Sequence, residues 1–269
     1  MTPKRILFCR SGGGLPGLDI HAGIWQALAA RGIAATACHG TSAGAIVSAL
    51  DAAEWDASAA RTLIASFASD DVVDYRFAWR TRSGFLANIC EGKAVDRVLA
   101  EHLPASWAAY TKPLATWATQ AGTSRRINVF RDTIAHSPAE AVAMSSRIPA
   151  VFPPIRGADG LWYVDGGMRE NLPLPADWQS YDQVWLLIAT GEPSRTDPAG
   201  TVLGNILRVF RHLMADQILD IIEQVDGDPQ VRVIWPRLKT PGMLEFDHAL
   251  IDQARKETLN ILDQMKEVA

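Results

Sequence analysis

Long apolar runs are what this chain most plainly lacks. The N-terminal stretch MTPKRILFCRSGGG contains one short apolar run, cut off by Arg10 and glycines. That is too short for the core of a secretory leader and far below the roughly 18 to 20 residues of a membrane-spanning helix. Cysteine is scarce too. Only Cys9, Cys38 and Cys90 occur, the first two inside apolar runs where a reduced thiol acts as a small hydrophobe. A reducing, cytoplasmic setting is expected, with at most peripheral attachment to a membrane. The net charge is only -4, from 26 basic and 30 acidic side chains, so no electrostatic footprint for nucleic acid is present. Histidines and cysteines are scattered without H-x-x-E or C-x-x-C spacing, so neither a metal site nor a cofactor is expected. No period of about 20 to 50 residues recurs, which removes solenoids and propellers.

What is present is an ordinary globular composition, 48% apolar and 21% charged, without a low-complexity tract to divide it. One domain spanning residues 1-269 is expected. Ile6 to Cys9 reads as a buried strand, Gly12 to Gly17 as a glycine-rich turn, and Leu18 to Ala30 as a helix closed by Gly32. Ile33 to Cys38 reads as a second strand, broken sharply at His39 to Gly44 before a helix over Ala45 to Ala53. Leu114 to Thr119, Ile127 to Phe130, Gln183 to Ala189 and Val231 to Trp235 supply further strands. Ser137-Pro138-Ala139-Glu140 is a capping box, and Asp247 caps a last helix. Alternation of this kind implies an α/β fold, with helices covering both faces of a mostly parallel sheet.

Three turns carry candidate chemistry. Gly40-Thr41-Ser42-Ala43-Gly44 is a G-x-S-x-G between a predicted strand and a predicted helix, the setting of a nucleophile elbow. Small flanking residues let the chain fold back and lift the hydroxyl above the sheet edge; the plainer alternative is a turn with Ser42 as helix cap. Gly12-Gly13-Gly14-Leu15-Pro16-Gly17 also satisfies the G-x-G-x-x-G of a dinucleotide site. That reading needs an acid about 20 residues on to hold a ribose, yet no Asp or Glu lies between Asp19 and Asp51. If the two strands are neighbours, the glycine loop instead sits beside Ser42 and can aim backbone N–H groups at a developing oxyanion. Val164-Asp165-Gly166-Gly167 ends a further apolar stretch, and its acid could face a cleft or simply make a turn.

In this order the three motifs resemble those of the patatin-like phospholipase family: glycine-rich loop, G-x-S-x-G serine and D-G-[GA] aspartate. The segment Ala143 to Pro154, a small-residue helix end followed by Ile148-Pro149 and Phe152-Pro153, is similar to the one preceding the family's aspartate. The resemblance covers roughly residues 5 to 190 and implies a three-layer α/β/α architecture. It implies Ser42 as nucleophile, Asp165 as base, Gly12, Gly13 and Gly14 as the oxyanion hole, and a lipid or other acyl ester as substrate with transient contact to a membrane surface. Pro16 stands where many members carry a cation, which weakens the case for a phosphate head group.

Rival readings remain at this stage. His212 and His248 fall late in the chain, where a Ser/Asp/His triad would place its imidazole. His39 precedes the elbow and is read as a packed strand-end residue. A nicotinamide-dependent oxidoreductase and a silent lipid-binding protein of the same fold are the other two classes. The stretch Asp70 to Asn88, rich in Arg and aromatics, reads as a solvated loop with an interfacial flap as alternative, and Val202 to Val225 as a packed helix.

Overall fold

The computed structural model describes residues 4-74, 88-122, 125-129, 135, 137-191 and 201-268. Most of the Arg- and aromatic-rich stretch read above as a loop lies outside these residues. Strands are β1 (Ile6–Arg10), β2 (Ala37–Thr41), β3 (Leu114–Gln120), β4 (Arg125–Val129), β5 (Ile155–Arg156), β6 (Trp162–Asp165), β7 (Gln183–Leu187) and β8 (Val231–Ile234). Helices are α1 (Gly14–Ala30), α2 (Ala43–Ala52), α3 (Ala57–Ala65), α4 (Ser69–Val72), α5 (Lys93–His102), α6 (Pro138–Ser145), α7 (Val202–Gln224) and α8 (Ala249–Val268).

The centre of the sheet is parallel, β3 beside β2, β2 beside β1, β1 beside β7 and β7 beside β8. Side chains alternate across it. Phe8, Trp185 and Leu187 join a core with α1, α2, α3 and α8 on one face. Leu7, Cys9, Val184 and Leu186 join a second core on the other face, which includes Ile218 of α7. The result is the expected α/β/α sandwich. Each fully buried aliphatic or aromatic side chain contributes roughly 1.5–3 kcal/mol relative to exposure. The closing helix α8 packs on α1, where Ala254 comes so near Gly23 that a Cβ at that position would stand 2.8 Å from it.

The second strand begins later than the apolar run from Ile33 suggests. Gly32 has φ +68° and ends α1. The amide of Ile33 donates to Leu28 O at 3.0 Å and that of Gly32 to Ala29 O at 3.0 Å. This is a Schellman motif, whose residue after the glycine is commonly apolar and packs back on the helix. Ile33 therefore belongs to the helix end, not to the sheet.

Register around β3 positions the site. Along one edge of β3, β2 runs parallel and pairs Thr41 with Trp117. The antiparallel β6 pairs Asp165 with Ala118, while β4 lies opposite both Trp117 and Ala118 along the other edge. Strands β2 and β6 thus share an edge and meet with their C-terminal ends facing each other.

Candidate active site

Ser42 follows Thr41 at this meeting point and starts α2 with φ 53° and ψ -123°, a positive-φ conformation rare for a non-glycine residue. Only small neighbours permit so tight a turn. A Cβ on Gly40 would collide with Gly44 O, and one on Gly44 with Arg10 O and Ser11 O. The strain is held in place by Ser145, whose Oγ accepts the Ser42 N–H at 3.0 Å and donates to Trp117 O at 2.7 Å.

Asp165 comes from the opposite direction and is fully buried. A Cβ on the next residue, Gly166, would meet Trp117 O and lie 3.0 Å from Thr41 Cγ2, so the aspartate turn is packed directly against the elbow. Its amide donates to Arg147 O at 2.9 Å. The end of α6 and the residues just after it therefore grip both partners, Ser42 through Ser145 and Asp165 through Arg147. Asp165 Oδ1 accepts from Gly167 N at 2.7 Å. Burial pushes its carboxyl up from 3.8 to about 7, against the smaller opposing effects of the nearby Ser42 hydroxyl and the Gly167 amide. Oδ2 has no donor at full hydrogen-bond geometry among the described residues. The Ser42 hydroxyl thus acts on this carboxyl without a full-geometry hydrogen bond to Oδ2.

The glycine loop lies on the other side of Ser42. A Cβ on Gly12 would stand 3.1 Å from Ser42 Cβ and strike Asn171 Oδ1. The Gly12 amide is already engaged, at 3.1 Å from both Asn171 O and Asn171 Oδ1. Thr190 Oγ1 donates to Gly12 O at 2.8 Å, and Asn171 Nδ2 donates to Thr190 at 3.0 Å. Gly12 is thereby fixed as a spacer whose N–H points to Asn171. The amides of Gly13 and Gly14, and that of Ala43 at the start of α2, donate to no group among the described residues. Sequence reasoning grouped the three glycines together and missed Ser145, Asn171 and Ala43, whose roles depend on contacts from distant segments.

An apolar cavity opens from this point, with about 880 Å³ of space between atoms, mouth included. Ser42, Gly14 and Ala43 line one part of it, and Ile46, Leu99 and Phe246 are among its aliphatic and aromatic walls.

Among the described residues, His39, His212 and His248 make no hydrogen bond with Ser42. His248 Nδ1 is 2.8 Å from Asp19 Oδ1 and Nε2 is 3.0 Å from Phe67 O, so both ring nitrogens are occupied. His212 lies on α7 two residues after Phe210, which puts the two on opposite sides of the helix. His39 is buried near Trp117, and burial lowers it to about 4.

The sequence pattern of the patatin-like phospholipase family matches residues 8–178. The chain belongs to that family. Relatives among curated proteins include uncharacterized NTE family proteins of Mycobacterium bovis and Mycobacterium tuberculosis, 34% identical over 172 residues. The match covers 61% of this chain and 26% of those proteins, so the chain spans about a quarter of the relatives' length. Among solved structures, VipD from Legionella pneumophila superposes with a TM-score of 0.57 over 97% of this chain and 67% of that one, at 15% identity. That likeness is one of fold, and it agrees with the patatin-like architecture described above. No helix among the described residues is long and apolar enough to cross a membrane.

Proposed function

We propose that this patatin-like chain is a serine acyl hydrolase that cleaves carboxylic esters of lipids through a Ser42/Asp165 dyad. The observation that carries the reading is the register that sets Thr41 and Asp165 opposite consecutive residues of one β3 edge. In the proposed cycle, Ser42 Oγ attacks the ester carbonyl as its proton passes to Asp165. The oxyanion is held by the unengaged amides of Gly13 and Gly14, beside Gly12, with that of Ala43 as a further donor. Collapse releases the alcohol, which takes the proton from Asp165, and leaves an acyl ester on Ser42. Water activated by the same carboxylate then frees the acid and regenerates the serine.

A carboxylate with an ordinary pKa is a weak base at neutral pH, and burial of Asp165 brings it to about 7, where general-base catalysis is effective. The occupied nitrogens of His248 favour a dyad over a triad. The apolar cavity beside Ser42 favours an ester with an aliphatic acyl chain. No metal or cofactor enters this scheme, and turnover in chelator is expected.

The test is labelling by a fluorophosphonate probe followed by an ester panel of increasing chain length. Wild type is expected to be modified at Ser42, and Ser42→Ala and Asp165→Asn to lose several orders of magnitude in turnover. Retention of more than about a tenth of wild-type turnover by either variant would break the assignment. Absence of labelling on wild type would favour a silent lipid binder of the same fold.

A further inference from the structure

Helices α2 and α5 both lead away from the dyad. Ser42 is the N-cap of α2, so that helix starts at the nucleophile. The start of α5 is held there by Arg147, whose carbonyl takes the Asp165 amide. Its Nη1 donates to Gly92 O at 3.2 Å, just ahead of α5, and its Nη2 to Asp96 Oδ1 at 2.5 Å. At their far ends the two helices meet in one core, where Leu50, Leu99 and Leu103 are 2%, 3% and 6% exposed. The chain that leaves α5 also returns to the end of α2, Thr111 N donating to Ala52 O at 3.3 Å.

The apolar cavity lies between these helices. One side takes Ser42, Ile46 and Leu50 from successive turns of α2, and the other takes Val95, Leu99 and Leu103 from α5 at the same spacing. Among the described residues that line it, only Ser42, Ser146 and His102 bring polar side chains. Ser146 Oγ already donates to Val142 O at 2.9 Å. The His102 ring stands edge-on to Phe67 and Trp55, with centroids 6.0 and 6.3 Å away. Below Ser42 the walls thus suit a hydrocarbon and give a charged head group no partner.

Depth follows from the helices. Eight residues separate Ser42 from Leu50, a rise of about 12 Å, and the step from Val95 to Leu103 is equally long. With ordinary C–C lengths and angles an extended hydrocarbon advances roughly 1.25 Å per carbon, so this depth accepts roughly eight to ten carbons. The 880 Å³ of the cavity includes its open mouth, so depth rather than volume sets the limit.

We propose that the cavity gauges the acyl chain, holding one straight chain of roughly eight to ten carbons with its carbonyl at Ser42, Ile46 at mid-depth and Leu50 and Leu103 as the floor. The alcohol part of the ester stays at the mouth. The proposal rests on the dyad reading and narrows its substrate class to medium-chain acyl esters. A longer chain must bend or leave methylenes in water, so carbons beyond the floor add nothing to binding.

The test is a series of nitrophenyl esters of straight-chain acids, from butanoyl to hexadecanoyl. On wild type, kcat/KM is expected to rise by up to about fourfold per carbon, the gain from burying one methylene, and to stop rising at roughly eight to ten carbons. Ile46 is half-buried, and Ile46→Phe fills the cavity about 6 Å from Ser42. That variant should lower the ratio of decanoyl to butanoyl kcat/KM at least about tenfold, a ratio that does not depend on how much of the variant folds. Leu103→Ala deepens the floor and should move the break to longer chains. Rates that keep climbing past dodecanoyl, or an unchanged ratio in Ile46→Phe, would overturn the proposal. Methyl esters of the same acids, titrated against the full chain carrying Ser42→Ala, read the gauge without turnover, and affinity should level off at the same length. If wild type cleaves no ester while that titration still levels off there, the hydrolase reading falls and the gauge stands. If turnover is present but neither series breaks, the gauge alone falls.

Discussion

The guanidinium of Arg10 donates to Asp51 Oδ2 at 2.5 Å, and both side chains are closed to solvent. Arg10 ends β1, just before the glycine loop, and Asp51 lies at the far end of the helix that begins after Ser42. The pair therefore ties the cradle to the elbow. Lys112 Nζ approaches Asp51 Oδ1 at 2.8 Å, and Arg10 Nη1 reaches Ser48 Oγ at 3.3 Å. Burial alone would raise the Asp51 carboxyl, but Arg10 and Lys112 outweigh it and hold the group below its usual 3.8.

Removing one member of a buried ion pair leaves the other uncompensated. Asp51→Ala is expected to cost about 3–5 kcal/mol, read from urea unfolding near neutral pH. Because the folded carboxyl titrates below its unfolded value, its contribution is complete above the unfolded pKa and disappears as pH falls through the folded one. The gap between wild type and variant should therefore narrow in acid. Equal unfolding midpoints at neutral pH would show that the pair contributes nothing net.

Asp165 has the opposite sign. Its folded carboxyl is held up at about 7 against 3.8, so the native state keeps a proton that the unfolded chain has already released. Stability is expected to fall as pH rises between those values. The full cost of the buried charge is then present above about pH 7. Asp165→Asn should therefore be more stable than wild type at about pH 8, on the order of a few kcal/mol, with little gain near pH 3. Turnover should run the other way, with log kcat/KM rising to a plateau at about pH 7 as the base ionises. A pH-independent difference in stability, or a plateau reached below pH 5, would remove Asp165 from the base role.

His248 faces two acceptors, the Asp19 carboxylate and the Phe67 carbonyl, so both bonds are made only when both ring nitrogens carry protons. Burial works against the cation, but these partners outweigh it and raise the imidazole above 6.5. The clamp joins the start of α8 to α1 and to Phe67, a residue of the cavity wall. Its stabilisation is expected in full below pH 6.5 and to fade as pH rises through the elevated folded value. His248→Ala should lower Tm more at pH 6 than at pH 9 and leave turnover of a small ester unchanged. A fall in turnover of several orders of magnitude would instead revive the Ser/Asp/His triad.

The local part of this architecture was legible in the residues. Strand, turn and helix around Ser42 follow from an apolar run, the five small residues Gly40 to Gly44 and another apolar run. The α/β class follows from their repetition. Ile33 misled because a Schellman ending and a strand start both present an apolar residue after glycine. What could not be read was any contact made across the sequence. Gly12, Gly13 and Gly14 look equivalent in the chain, yet Asn171, some 159 residues away, takes the Gly12 amide and leaves the other two free to donate. Ser145 looked like part of a small-residue helix end, and its grip on Ser42 needs the third dimension.

Because β2 and β6 abut along one edge of β3, the gap between serine and aspartate is ruled by the single peptide step from Trp117 to Ala118, a rise of about 3.3 Å. Contacts from the end of α6 and just beyond it then hold each end where that step has set it, Ser42 through Ser145 and Asp165 through Arg147. A one-residue insertion at this step of β3 would slide the two ends apart in an otherwise intact sandwich.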